Sequence, residues 1–352
     1  MATKIDNVEL IKKIDCHGML AELEQFPKQL QEAHQLGAGL KLAAAYKKVN
    51  KILICGMGGS AIVGDLLQGY LKLESELPVI VNRDSHLPAF VDRQTLVFVV
   101  TYSGNTKETL HNFQSALAKK AKIIAVTSGG KMCQAAILNK IPYIKVKADG
   151  LPRASIGLLF FPVLNILQDL GLIADKKKDI RETLRVINRL GRQWGGNSGI
   201  RQNRAKILAL SLLGKIPVLY GATSLMDGIS RRWKGMINEN TKMFAAYNTF
   251  PEIAHNEIEC WQSLGNLRKH FKVIVLQDRM AYPEDKKRLI LGTHLIEKYI
   301  GKTETAAPVG TSALARLFSM IYLGDLISVY LAFLYATDPS LMPNIDYIKK
   351  HL

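Results

Sequence analysis

KILICGMGGSAIVGD, residues 51–65, is the stretch on which the reading of this chain turns. Ile52, Leu53, Ile54 and Cys55 form a short apolar run, the pattern of a strand covered on both faces. Gly56, Met57, Gly58 and Gly59 then make a turn that few side chains could occupy, and helical spacing begins at Ser60 with Ile62, Leu66 and Leu67. A strand, a glycine turn and a helix start together present backbone N–H groups and a hydroxyl at the positive end of a helix dipole, which suits a phosphate. Tight strand-to-helix turns also use glycine for steric reasons alone. No Gly-Lys-Ser/Thr closes the stretch as in a P-loop, and the glycine spacing departs from the dinucleotide pattern.

A second stretch adds weight to the anion-site reading. TLVFVV, residues 95–100, reads as another buried strand and runs into Thr101-Tyr-Ser-Gly-Asn-Thr106, followed by Glu108 and a helix. Hydroxyls at Thr101, Ser103 and Thr106 crowd around Gly104 and Asn105; one of them could do no more than cap the helix. In a parallel sheet the C-terminal strand ends lie along one edge, where ligands bind. A hydroxyl-rich cradle without lysine suits a phosphomonoester better than a nucleotide.

The pattern around these loops alternates. Strands are expected at 51–55, 78–82, 95–100, 122–126 and about 142–146, with helices at about 60–72, 105–119 and 131–139, the mark of a layered parallel sheet. Residues 7–48 read as helical with a break at Pro27, and a long apolar helix follows at 156–170. Residues 173–203 are polar and basic with four glycines and read as a crossover. The theme then repeats: helix 206–213, strand 216–220, helix 226–240, strand 242–246, strand 271–277, helix 284–299, a long helix at 312–335 and a tail. The expected fold class is α/β: two three-layer αβα domains with mainly parallel sheets and extra N- and C-terminal helices. The domains are residues 1–172 and 204–352, joined by 173–203. The strand-end loop Gly221-Ala-Thr-Ser224 echoes the first cradle without its Gly-Gly, so only the first copy keeps a phosphate site.

Composition narrows the classes. The 352 residues are 48% hydrophobic, enough for two ordinary domains, and mean hydropathy is near zero. No run reaches the ~18 uninterrupted apolar residues of a membrane span; the longest candidate, Leu314–Tyr335, contains Arg316 and Asp325. MATKIDNVELIKK lacks an apolar signal core, so a cytoplasmic protein with no membrane partner is expected. Cys16, Cys55, Cys133 and Cys260 have no metal-ligand spacing, and no cofactor or metal is expected. The net charge of +17 could hold nucleic acid. Its spread along the chain, with no zinc-finger or RNP pattern, favours a solvated basic surface that attracts anionic substrates, and no nucleic-acid partner.

GMGGSAIVGDLL with TYSGNTKETL resembles a sugar isomerase (SIS) domain. LPRAS, INENTK, HNEIECW and the C-terminal DP…IDYIKK resemble, in that order, the bifunctional phosphoglucose/phosphomannose isomerase family. The resemblance implies a homodimer acting on a small sugar phosphate: aldose–ketose isomerisation of glucose 6-phosphate, and of mannose 6-phosphate, to fructose 6-phosphate. The alternatives are a non-catalytic SIS-type module that senses a sugar phosphate, and an amidotransferase-type isomerase.

Such a reaction needs a carboxylate that reaches two carbons, a group near neutral pKa for ring opening, and a cation near the developing oxyanion. Glu239 lies late in the expected helix 226–240, where the macrodipole disfavours a carboxylate; the resemblance makes it the base. His255 reads locally as a cap or a partly exposed residue, and the resemblance gives it ring opening and a reach towards a neighbouring subunit. Glu257 either caps the next helix or orients that imidazole. Arg153 reads as a surface cap or a side chain pointing into the cleft, and the resemblance favours the cleft. Lys349 reads as solvated surface; the resemblance makes it a substrate contact, with Lys350 an alternative register. The phosphate ligands implied are Gly59, Ser60, Thr101, Ser103 and Thr106. Thr101 stands where serine is usual and keeps the hydroxyl.

Overall fold

The computed structural model describes residues 4–351, with the side chains of Thr223 and Ser224 outside the description. The chain divides into two compact units. One comprises Phe26–Leu184 with Ser312–Ala315; the other comprises Met1–Gln25, Arg185–Thr311 and Arg316–Leu352.

Three short helices open the chain, α1 (Val8–Ile14), α2 (Met19–Glu24) and α3 (Phe26–Ala33). The helical span expected over 7–48 is therefore interrupted. Asp15 ends the first piece by accepting the N–H groups of Met19 and Leu20, both at 2.8 Å, with Gly18 left-handed at φ 73° between them. Pro27 falls in the first turn of α3, where an absent N–H removes no helical bond. Gly37 and Gly39, at φ 80° and 72°, keep the following residues out of a helix until the 3₁₀ turn Ala44–Lys47.

β1 (Lys51–Cys55), α4 (Gly58–Leu71), β2 (Val79–Asn82), β3 (Thr95–Thr101), α5 (Lys107–Ala118), β4 (Lys122–Thr127), α6 (Gly130–Leu138) and β5 (Tyr143–Lys145) build the first sheet and its helices. All pairings are parallel, in the order β2-β1-β3-β4-β5. All seven residues of β3 are buried, which is why its sequence is apolar without alternation. Leu53, Val97, Val99, Phe113 and Ile123 share one core. α7 (Ile156–Asp169) is buried at every residue from Ile156 to Leu167, matching its all-round apolar sequence. The stretch read as a crossover carries the 18-residue helix α8 (Lys177–Trp194).

The second sheet is made by β6 (Ile216–Ala222), β7 (Ala246–Phe250), β8 (Phe271–Leu276) and β9 (Glu304–Ala306), all parallel, in the order β7-β6-β8-β9. This repeats the order of the first four strands of the other sheet. Its helices are α9 (Arg204–Ser211), α10 (Thr223–Met236), α11 (Pro283–Ile300), α12 (Ala313–Leu334) and α13 (Pro343–His351). Tyr220 packs edge-on against Phe250 and Trp261, with Val273 and Leu289 in the same core. The strand expected at 242–246 lies at 246–250 instead. Lys242 is left-handed at φ 59° and cannot begin a strand. α12 is long and apolar enough to cross a membrane by length and composition, yet the whole of its apolar window is buried inside the protein. Arg232 and Asp325 meet in that core as an ion pair, both almost fully buried.

Candidate functional site

The first sheet reverses its order between β1 and β3, and ligands of such sheets sit at the C-terminal ends flanking that reversal. Cys55 stands opposite Val99, so the turns leaving the two strands start side by side. A Cβ at Gly56 would fall 3.0 Å from Ala61 N and 3.1 Å from Val100 O, so any side chain here would press on the backbone of both turns. α4 begins at Gly58, two residues earlier than expected, without a side-chain cap at its N-terminus. Ser60 thus lies in its first turn, and Ser60 Oγ accepts the Tyr102 N–H at 3.3 Å, joining the two turns. Thr101 Oγ1 donates to Thr106 Oγ1 at 3.3 Å, and Ser103 Oγ accepts the Asn105 N–H at 3.3 Å. Thr106 is the N-cap residue of α5, but its side chain makes no cap bond. Capping therefore does not account for this hydroxyl.

Arg153 sits on the 3₁₀ turn Pro152–Ala154 and is only 5% exposed, so it is not a surface cap. Its Cα lies 3.9 Å from where a Cβ on Gly59 would stand, which places the LPRAS turn directly against the glycine turn. Tyr102, which the sequence reading passed over, holds this arrangement together. Its hydroxyl donates to Gly150 O at 3.0 Å and accepts the Gly150 N–H at 3.3 Å. Its carbonyl accepts from Ser128 N at 3.0 Å and Ser128 Oγ at 2.5 Å. The available signal was an aromatic set between two hydroxyl residues on a strand-end loop. Helix N-termini and hydroxyls at these turns, with the arginine-bearing LPRAS turn beside them, make a place suited to a compact dianion.

In the other unit, Glu239 is half-buried on a π-helical turn, Ile237–Thr241, that follows α10 rather than on the α-helix itself. Wide turns of this kind are uncommon and cluster at functional sites. Asn240 Nδ2 donates to Ser328 Oγ at 2.8 Å and Thr241 Oγ1 to Ser328 O at 2.9 Å, fixing the turn to α12. His255 ends the 3₁₀ turn Glu252–His255 and is exposed, while Ile253 anchors that turn in the core. Glu257 does neither of the things expected of it. Its oxygens accept from Tyr220 Oη and Asn248 Nδ2, each at 2.5 Å, and Asn256 caps the following turn. The segment bearing His255 is thereby pinned to β6 and β7. Burial and the adjoining carboxylate push ionisation of the Tyr220 hydroxyl far above the ordinary range, so it remains a donor. Lys349 and Lys350 both lie exposed on α13.

The Gly221–Ser224 segment is no loop: β6 passes straight into α10 at Thr223, and the side chains of Thr223 and Ser224 lie outside the described residues. A Cβ on Gly221 would fall 2.7 Å from Met226 Cβ, so helix and strand close on each other where the first sheet leaves a turn. Among the described residues, no three His, Cys, Asp or Glu side chains converge to hold a metal ion.

Two family models match the chain. The SIS domain covers residues 45–141, and the bacterial phospho-glucose isomerase C-terminal SIS domain covers residues 201–352. A relative from Caldicellulosiruptor bescii, named bifunctional phosphoglucose/phosphomannose isomerase, is 39% identical over 95% of this chain and 98% of its own length. One of the same name from Aquifex aeolicus is 35% identical over 86% of this chain and 90% of its own. The crystal structure of a hypothetical protein from Thermus thermophilus shares the fold with a TM-score of 0.73 at 14% identity, covering 97% of this chain and 92% of that one. Both sheets, both matched domains and an identity of 39% over nearly the whole length lead to one conclusion: the chain belongs to the bifunctional phosphoglucose/phosphomannose isomerase family.

Proposed function

We propose that this protein is an aldose–ketose isomerase that interconverts glucose 6-phosphate and mannose 6-phosphate with fructose 6-phosphate. The observation that carries the reading is the pair of turns at the β1/β3 reversal. There, Ser60 bonds the backbone of the second turn and the LPRAS turn of Arg153 closes against the first. Gly59, Ser60, Thr101, Ser103 and Thr106 take the phosphate, which anchors the sugar and makes the later proton transfer effectively intramolecular.

His255 opens the ring by moving the proton of the anomeric hydroxyl to the ring oxygen. Glu239 removes the proton on C2 of the open chain to leave an enediolate, the proton of the C2 hydroxyl passes to O1, and Glu239 returns its own proton to C1 to give the ketose; the reverse path starts at C1. Arg153 and Lys349 offset the charge that develops on the enediolate oxygens. Proton transfer within the sugar balances without a redox cofactor, and the chain's own side chains supply every role. We take the active form to be a homodimer, the commonest closed assembly, and the compartment to be the cytoplasm, where dianionic hexose phosphates are retained because they do not cross a bilayer unaided.

The decisive experiment is a coupled assay with both hexose 6-phosphates on the wild-type protein and on Glu239→Gln. The wild type turns over both. The variant loses about 10³-fold in kcat while sugar-phosphate binding changes little, because only the proton carrier is gone. Binding without turnover in the wild type would make the protein a sugar-phosphate sensor instead, and normal turnover in the variant would remove Glu239 from the chemistry.

A further inference from the structure

We propose that Lys242 is a positioning residue for Glu239, a role that rests on reading Glu239 as the base. The π-turn that carries Glu239 ends at Lys242, a non-glycine residue in the left-handed region (φ 59°, ψ 25°). Glycine or asparagine is the usual occupant of such a helix end, since a Cβ there costs about 1–2 kcal/mol. Lysine holds the position by a different means. Its ammonium turns back onto the turn it closes, with Nζ 2.7 Å from Glu239 O and 3.3 Å from Asn240 O.

The last carbonyls of a helix have no intrahelical donors, and here one cation supplies them. The same Nζ lies 3.1 Å from Asp338 O and 3.3 Å from Pro339 O. Three N–H donors are shared among four carbonyls. The charge thus ties the Glu239 turn to the segment leading into α13. That segment is itself fixed, because the Asp338 carboxylate bonds His17 Nδ1 at 2.9 Å and the Ser340 N–H at 2.8 Å. On the far side of the turn, Asn240 and Thr241 are held by Ser328. The clamp reaches Glu239 through its carbonyl and so sets where the residue stands.

A carboxylate that must serve two adjacent carbons tolerates little displacement, and a misplacement near 1 Å can cost about 10²-fold. Lys242→Met in the full-length protein is therefore expected to lower kcat about 10- to 100-fold with KM held within about twofold. Lys242→Arg, which keeps charge and donors, retains most of kcat, and Lys242→Gln, with two donors and no charge, falls between. The discriminating measurement is the double variant with Glu239→Gln: if Lys242 acts through Glu239, adding Lys242→Met to that background costs nothing more.

Normal kcat in Lys242→Met overturns the proposal. So does a rise in KM with kcat preserved, or an equal fractional loss in the Glu239→Gln background. A Lys242→Met protein unfolded at the assay temperature also overturns it, since the clamp would then serve folding. Normal turnover in Glu239→Gln alone is a separate result, and it removes the base assignment itself.

Discussion

Cys55 ends β1 immediately before the glycine turn, so its thiol stands at the strand end from which that turn leaves. It is fully buried, and burial pushes its ionisation up to about 12. At neutral pH it is a small apolar side chain that fills the space beneath the turn. A thiol reagent at pH 8 is expected to modify the exposed Cys16 and Cys260 readily and to leave Cys55 intact until denaturant is added, as mass spectrometry of labelled peptides would read. Labelling of Cys55 at the same rate as Cys16 would show that the strand end opens. The linkage has a definite sign. Below the unfolded thiol's value of about 8.5 both states are neutral and the group adds no pH dependence. Between there and about 12 the unfolded chain ionises while the folded one does not, so this residue costs stability only on the alkaline side.

The ion pair between α10 and α12 shows what an element requires to sit in a core of this kind. Arg232 Nε donates to Asp325 Oδ1 at 3.0 Å and Nη2 to Oδ2 at 2.6 Å, a two-pronged contact with both side chains almost wholly out of water. Burial raises the ionisation of Asp325 and the guanidinium lowers it, with burial the larger effect. Asp325→Ala leaves the guanidinium buried without its counter-ion and is expected to cost about 3–5 kcal/mol, read as a lower urea midpoint at unchanged m. A Leu/Met pair replacing both residues is expected to recover most of that loss, because it removes both desolvated charges. A midpoint unmoved by Asp325→Ala would mean that the pair carries no net weight.

Asp325 also marks where the sequence was legible. Arg316 and Asp325 argued against a membrane span, and α12 is indeed buried inside the protein. β1, β3 and β4 could be read to within a residue because central parallel strands are apolar on both faces. β7 and β9 are edge strands; AYNTF and ETA carry too little apolar signal to stand out, which is why one was displaced and the other passed unseen. In the candidate site, Ser60, Thr101 and Thr106 announced themselves as motif residues. The burial of Arg153, the bond from Tyr220 to Glu257 and the tie of Lys242 to Asp338 and Pro339 show only in the fold, because no local pattern encodes contacts so distant in sequence.

At the scale of the whole molecule, the same parallel order was used twice; in the first copy a glycine turn separates β1 from α4, whereas in the second β6 runs directly into α10. The remaining global feature is charge: 47 Lys and Arg against 30 Asp and Glu give +17. A field of that sign concentrates dianionic sugar phosphates near the protein and accelerates encounter, and it is screened over a Debye length of about 10 Å at 0.1 M salt. Raising sodium chloride from about 20 to 300 mM is accordingly expected to lower kcat/KM about fivefold while kcat, which starts from bound substrate, stays level. Steady-state kinetics at fixed pH would show the split, and a kcat falling in step with kcat/KM would place the effect in the chemistry instead. Sodium sulfate at equal ionic strength separates the global field from the local cradle. Sulfate matches the phosphate group in size and charge, so it should raise KM beyond the chloride curve and act competitively; if the two salts superimpose, the turns at β1 and β3 do not select a tetrahedral dianion.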